Sequence, residues 1–145
     1  MSSRTELFAA ILREHGSSST QQRHALFELL IDQEPMSMHE LVIKAESVMD
    51  RASVYRTVEL FEKIGIVQRI NIGWKYKLEL SDKFAEHHHH LTCLQCKQVI
   101  PINENELEVF MAKVAAGHNF QPLEHQVEIQ GYCQNCQQAS RAYSA

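Results

Sequence analysis

Two Cys-x-x-Cys turns, Cys93 to Cys96 and Cys133 to Cys136, constrain this chain more than any other feature in it. They hold all four of its cysteines, and four consecutive histidines, His87 to His90, precede the first. A Cys-x-x-Cys turn offers two sulfurs to one ion, and Zn²⁺ is satisfied by four such ligands in a tetrahedron. Disulfides are the competing use. The chain shows no signal-peptide layout, however, and its longest apolar run near the N-terminus, Leu7 to Leu12, is far too short for a membrane span. A cytoplasmic protein without membrane attachment is therefore expected, and thiols in that compartment stay reduced. A redox role is weakened by there being two such turns. One structural zinc per subunit is the expectation. The region holding these cysteines, residues 81–145, is small enough that a core alone gives only roughly 3–5 kcal/mol. The metal would supply the staple it needs.

The histidine run has a geometric meaning. If residues 87–91 are extended, successive side chains point to opposite faces. His87 and His89 then face one way, His88 and His90 the other, so one segment can serve two metal sites. Candidate completing ligands are Glu79, Glu108 and His125. Imidazole and carboxylate donors suit Fe²⁺, Zn²⁺, Mn²⁺ and Co²⁺ alike.

The first eighty residues read differently, as helices closing on a hairpin. Leu7, Phe8, Ile11 and Leu12 line one helical face that ends near Gly16. Thr20 is placed to cap a second helix carrying Leu26, Phe27 and Leu30, which Pro35 is expected to break. Ser37 and Glu40 have the spacing of a capping box ahead of Leu41, Ala45 and Val48. Asp50 should cap a fourth helix with Val54, Val58, Phe61 and Ile64 inward and Gly65 at its end. Alternation from Val67 to Ile72 and from Trp74 to Leu80, about Gly73, predicts a β-hairpin. This is the layout of a winged helix-turn-helix. Opposite its apolar stripe the fourth helix carries Arg51, Ser53, Tyr55, Arg56 and Thr57, a face able to read base edges. Lys75 and Lys77 share one hairpin face, within reach of phosphates. The net charge of −4 does not suggest a nucleic-acid binder, but the acidity lies with the His and Cys, leaving the first part near neutral.

Beyond a polar segment read as a hinge, residues 81–86, short strands are expected at Leu91–Cys93, Val99–Ile102 and Val127–Ile129. Asn103 would cap an intervening helix with Leu107, Phe110, Met111 and Val114 facing inward. The residues after Cys136 offer little to anchor them.

The segments Ala52-Ser53-Val54-Tyr55-Arg56-Thr57-Val58, Gly65-Ile66-Val67, His87 through Cys96, and Cys133-Gln134-Asn135-Cys136 together resemble the ferric uptake regulator superfamily, over about residues 5–136. The resemblance implies an α+β protein: an N-terminal winged helix-turn-helix at residues 1–80, then a small α/β dimerisation domain with a zinc-stapled sheet at residues 87–145. It implies a homodimeric, metal-dependent repressor of metal-homeostasis genes that binds double-stranded palindromic operator DNA, with Tyr55 and Arg56 reading the operator. It further implies a hinge regulatory site of Glu79, His88 and His90, and an inner site of His87, His89, Glu108 and His125. The regulatory ion would be Fe²⁺ or Zn²⁺, with Mn²⁺ a third candidate. Two departures stand out. Pro35 occupies the place of a histidine that completes the hinge site in many members, leaving His39 as a candidate substitute. Ser17 to Ser19 replace a basic residue before the second helix.

Three rival readings compete with this one. A peroxide sensor of the same family would use the same ligands. A zinc hydrolase or deaminase lacks support, since no H-x-E precedes a P-C-x-x-C. A metal buffer has no use for a winged helix. A regulator without enzymatic activity is the expectation.

Overall fold

The computed structural model describes residues 3–143, which divide into two units between Glu86 and His87. In the first unit α1 (Ser3–Glu14), α2 (Gln21–Glu28), α3 (Met38–Lys44) and α4 (Arg51–Lys63) precede a hairpin of β1 (Val67–Ile72) and β2 (Lys75–Leu80). The core follows the apolar stripes of the sequence. Phe8, Leu12, Leu26, Phe27, Leu41, Val54 and Phe61 are all buried in one cluster with Leu78 of the hairpin. Phe8 stacks on Phe27 with ring centroids 4.3 Å apart and meets Phe61 edge-on at 5.5 Å. This is a winged helix-turn-helix, with β2 tied back to the residues before α3 through Met36 and Leu78.

Local chemistry fixes the helix starts. Thr20 accepts the Arg23 N–H and Asp50 accepts the Ser53 N–H, each satisfying an orphan donor. Ser37 and Glu40 form the full capping box, with the Ser37 N–H donating to Glu40 at 2.7 Å and the Glu40 N–H donating to Ser37 at 3.2 Å. Gly65, at φ +74°, turns the chain out of α4. Pro35, expected to break α2, is not what stops it. The helix ends at Glu28, where Leu30 and Ile31 bond three residues back instead of four. Asp32 then takes a left-handed φ of +53° and pairs with Arg4 at 2.7 Å.

Residues 81–86, read above as a polar hinge, are anchored to the first unit as far as Phe84. The Ser81 N–H donates to Ile66, its hydroxyl donates to the Gly65 carbonyl, and Phe84 is buried edge-on to Phe27. Polar composition hid one aromatic anchor.

The second unit contains β3 (His89–Cys93), β4 (Val99–Ile102), α5 (Asn105–Gly117), β5 (Glu128–Gly131) and α6 (Gln134–Tyr143). Its sheet has the order β4-β3-β5, antiparallel on one side of β3 and parallel on the other. Three local expectations change. Glu104, not Asn103, precedes α5, without a side-chain cap, because the helix begins one residue later than the motif suggests. The residues after Cys136, read as offering little to anchor them, continue α6, which begins inside the second Cys-x-x-Cys turn. On α5 no residue is buried, and Phe110 and Val114 are 64% and 48% exposed where they were expected to face inward. Periodicity reports an apolar face without saying whether the same chain or another copy covers it.

The capping box carries the first prediction. Glu40's carboxyl is held below its usual 4.5 chiefly by the Ser37 backbone N–H, then by the Ser37 hydroxyl and the charges of Lys77 and Lys44, against a desolvation effect. A carboxylate with a lowered folded pKa stabilises above the unfolded value and loses that contribution as pH falls through the folded one. Glu40→Gln should therefore cost roughly 0.3–1 kcal/mol at neutral pH. In urea unfolding series, its difference from the parent should shrink as pH falls below 4.5.

Candidate metal centres and nucleic-acid interface

The four cysteines meet because β3 and β5 run parallel in a register that sets Cys93 beside Gly131. The Leu94 N–H donates to the Gly131 carbonyl at 2.8 Å, which locks the first turn beside the start of the second. Lys97, at φ +64°, closes the first turn, with its N–H on the Cys93 carbonyl. All four sulfurs lie within 4.8 Å of one another, and Cys96 and Cys133 are 3.8 Å apart. A tetrahedron with Zn–S bonds of about 2.3 Å has edges of roughly 3.8 Å, so the spacing fits zinc.

Protonation of the cluster is uneven. Burial pushes the Cys93 thiol up, but N–H groups of Cys133, Cys96 and Gln95, with the Cys96 side chain, outweigh it and bring it to about 6. Cys136 is pushed up to about 12 by its hydrogen bond to Cys133, by burial, and by the other two sulfurs. Cys136 therefore keeps its proton at neutral pH unless a cation takes its place, so loading zinc must release that proton.

A second cluster lies in the same unit. His87 just before β3, His89 at its first residue, Glu108 near the start of α5 and His125 ahead of β5 bring one ligand atom each within 4.8 Å of the others. Glu108 accepts from His89 Nε2 at 2.6 Å and lies 2.9 Å from His125 Nε2 and 3.5 Å from His87 Nε2. His87 and His125 face each other, Nε2 to Nε2, at 2.9 Å. Tetrahedral zinc with bonds of about 2.0 Å has edges of roughly 3.3 Å, within the range of these separations. Three imidazole nitrogens and one carboxylate also match the donor preferences of a borderline divalent cation. The Val127 N–H donates to His89 Nδ1 at 3.2 Å, so in the neutral ring Nε2 carries the proton toward Glu108. Glu108's carboxyl is held low by its bond from His89, by His125 through both a hydrogen bond and charge, and by the charge of His87, against partial desolvation.

The hinge candidates are each placed by their own unit. Glu79 is buried on β2, where it accepts from Gln68 at 2.7 Å. His88 is half-buried and His90 buried, their rings 4.8 Å apart, and the His90 N–H donates to the Val127 carbonyl. Thus His88 and His90 do pair away from His87 and His89, whose rings are 4.7 Å apart. His39 is exposed on α3 and joins no ligand cluster among the described residues.

The polar face of α4 is preorganised from its cap. Asp50 accepts from the Ser53 hydroxyl at 3.1 Å, and Arg56 Nη2 donates to that hydroxyl at 3.1 Å. Arg51, Tyr55 and Arg56 are exposed, and Arg51 lies over the Tyr55 ring at 5.7 Å. Ser53, Arg56 and Thr57 line a polar cleft of about 290 Å³ with Thr20, Gln22 and Arg23. Arg23 was missed in the sequence. The signal was the basic residue three places after the Thr20 cap, hidden by the loss of any basic residue at positions 17–19. Lys75 is exposed, whereas Lys77 is half-buried and close enough to Glu40 to lower its carboxyl.

The sequence profile described as "Ferric uptake regulator family" matches residues 14–130. The ferric uptake regulation protein of Campylobacter jejuni is 32% identical over 138 residues, which is 90% of this chain and 87% of that protein. Among solved structures, the ferric uptake regulator of Vibrio cholerae is 30% identical at a TM-score of 0.70, covering 86% of this chain and 98% of its own. That of Helicobacter pylori, at 21% identity, matches the fold with a TM-score of 0.77 over 93% of this chain and 92% of its own.

Replacing Cys93 or Cys136 by Ser should remove one zinc per subunit, measured by elemental analysis. It should also lower the melting temperature of the second unit while the helices of the first persist. Chelators should extract zinc from the parent more readily as pH falls, because protons compete for the sulfurs. A mutant with full zinc content and parental melting would exclude a structural role for the cluster.

Proposed function

The chain belongs to the ferric uptake regulator family, and on that premise we propose how its residues act as a metal-dependent DNA-binding regulator. The observation that carries the reading is that the match spans both units, winged helix and metal-ligating domain alike. Members of this family are transcription regulators that bind DNA as dimers, so the exposed apolar face of α5 is read as the surface a second copy covers. The proposed setting is the cytoplasm, and the proposed target is a palindromic operator whose two half-sites mirror the dimer's two-fold axis. Among the described residues no helix is long and apolar enough to cross a membrane.

Zinc and a second divalent metal are the cofactors, with Fe²⁺, Zn²⁺ and Mn²⁺ the candidates for the second. Cys93, Cys96, Cys133 and Cys136 hold the structural zinc. Glu79 from the first unit, with His88 and His90 from the second, is the hinge set, and His87, His89, Glu108 and His125 are the inner set. A bound divalent cation supplies directional ligation to several donors at once. The residues do the rest. Glu79 sits on the hairpin of the DNA-binding unit, and His88 and His90 sit at the start of the second unit's central strand. On this proposal, holding Glu79 through a shared ion to His90, and to His88 just before the strand, would fix the angle at which each α4 is presented. When they are not held, the competent arrangement is only one of several populated, and operator affinity falls by that fraction. Linkage makes the effect reciprocal, so operator DNA also tightens metal binding.

On α4, Arg56 is the base reader, held by Ser53 and Asp50, with Arg51 and Tyr55 beside it and Thr57 at the cleft. Arg23 and Lys75 meet phosphates. Arg56→Ala should weaken specific binding by about 1–3 kcal/mol and relax discrimination at one base. Arg23→Ala should weaken all sequences alike and flatten the salt dependence. Retardation assays at several salt concentrations separate the two.

The two His pairs are tested together. Glu79→Ala and His90→Ala should abolish the metal dependence of operator binding and leave the dimer intact. Glu108→Ala and His125→Ala should mainly lower metal content and thermal stability. The measurement is operator affinity against free metal for all four variants, with dimer mass as the control. If the Glu108 and His125 variants lose the response while the others keep it, the inner set is the sensor.

A further inference from the structure

Trp74 is the only tryptophan in the chain, and it is 86% exposed at the tip of the hairpin. Neither the turn nor the core asks for it. Ile72 pairs with Lys75, so Gly73 and Trp74 form a two-residue loop. Gly73, at φ +63°, meets the one demand of such a turn, and the next position accepts almost any residue. The hairpin's buried apolar side chains are Val67, Ile70, Ile72, Leu78 and Leu80. An indole left in water at a loop tip is unusual on a folded surface, where large aromatics are used for contact.

Two further observations point to what covers it. The Lys75 ammonium lies 5.0 Å from the indole centroid, so the tip carries an aromatic face and a cation side by side. The hairpin is also fastened to α4. Arg69 on β1 grips Glu62 on α4 through two bonds, at 2.5 and 3.1 Å, and stacks its guanidinium 4.0 Å over Tyr76 of β2. The tip therefore has a fixed place relative to the helix that presents Arg56. A partner recognised by α4 meets Trp74 in a set position.

We propose that Trp74 is a DNA contact: the indole packs on the deoxyribose edges of the minor groove flanking the stretch read by α4, while Lys75 meets the adjoining phosphate. The assignment rests on the DNA-binding reading given above. Duplex DNA fits the pair because its minor groove offers apolar sugar edges beside a line of anionic phosphates, and apolar side chains enter it in other proteins. The two residues then make separable contributions. An apolar contact to sugars releases no counterions, so it adds affinity without adding salt dependence, whereas a lysine on a phosphate adds both.

Because Trp74 is the sole tryptophan, its fluorescence reports the hairpin tip alone. Parent protein holding its structural zinc, with Fe²⁺, Zn²⁺ or Mn²⁺ supplied in separate series, would be titrated with duplexes that it selects from a random pool, following emission, acrylamide quenching and gel retardation on the same samples. Expected are a change in emission and protection from acrylamide, both saturating with retardation. Trp74→Ala should bind those duplexes five- to twentyfold more weakly with an unchanged salt slope. Trp74→Phe should restore most of the loss, and Lys75→Ala should lower the slope. If the parent retards the duplexes while Trp74 stays as quenchable as before, or if Trp74→Ala binds like the parent, the contact is refuted and the DNA-binding reading stands. If the parent retards no duplex, both fail. Quenching protection that grows with protein concentration in the absence of DNA would assign Trp74 to a second copy and overturn the proposal.

Discussion

The second unit depends on one pairing, the parallel ladder between β3 and β5. Its register sets Cys93 beside Gly131 and His90 beside Glu128. The first places the two Cys-x-x-Cys turns together. The second brings Val127 against the histidine strand, where its N–H meets His89 and its carbonyl takes the His90 N–H. A slip of one residue would turn every histidine to the other face and separate the sulfurs. Parallel strands cannot be joined by a tight turn, so β4, α5 and the loop holding His125 are the crossover between them. That crossover is also how Glu108 and His125 arrive beside His87. Zinc ligation and strand register thus specify one another, which lets so small a unit hold one arrangement.

The first unit is organised by burial instead. Phe8, Phe27 and Phe61 bring α1, α2 and α4 together, and the apolar stripe of α4 is consumed there. Its polar face is left outward as a consequence. The Asp50 cap then does more than begin the helix, since through Ser53 it also steadies Arg56. The helix cap and the proposed recognition face share atoms. The same economy appears at Arg69, which pairs with Glu62 of α4 while covering Tyr76 on β2.

Much of this was legible in the residues. Caps at Thr20, Ser37 and Asp50 are local hydrogen-bond motifs, and the structure has all three. The two cysteine turns and the alternation of the histidines follow from ligand chemistry and strand pleat. What was not legible depended on tertiary context. Pro35 looked like the end of α2, but the chain had already tightened at Leu30. Residues 81–86 looked free because five of the six are polar or small, and the burial of Phe84 against Phe27 is a long-range fact. The stripe on α5 was real, yet its period could not say that no part of the same chain would bury it. Arg23 and Trp74 carry no motif of their own, and only the cleft beside α4 and the hairpin turn give them a context.

The anchoring of Phe84 bears on how metal binding would be coupled to DNA binding. With Phe84 held in the first unit, Ala85 and Glu86 are what remain between it and His87. The three chain steps from Phe84 to His87 span at most about 11 Å, so those two residues cannot separate further than that. Short tethers keep the entropy cost of closure small. On the hinge proposal, so short a tether would hold Glu79, His88 and His90 at high effective concentration for a shared ion, and little binding energy would be lost in bringing them together. A site built this way tolerates one fewer ligand than a site assembled across a long flexible linker. On that proposal, Pro35 standing where the resemblance implies a further histidine would cost the site little, even with His39 exposed on α3.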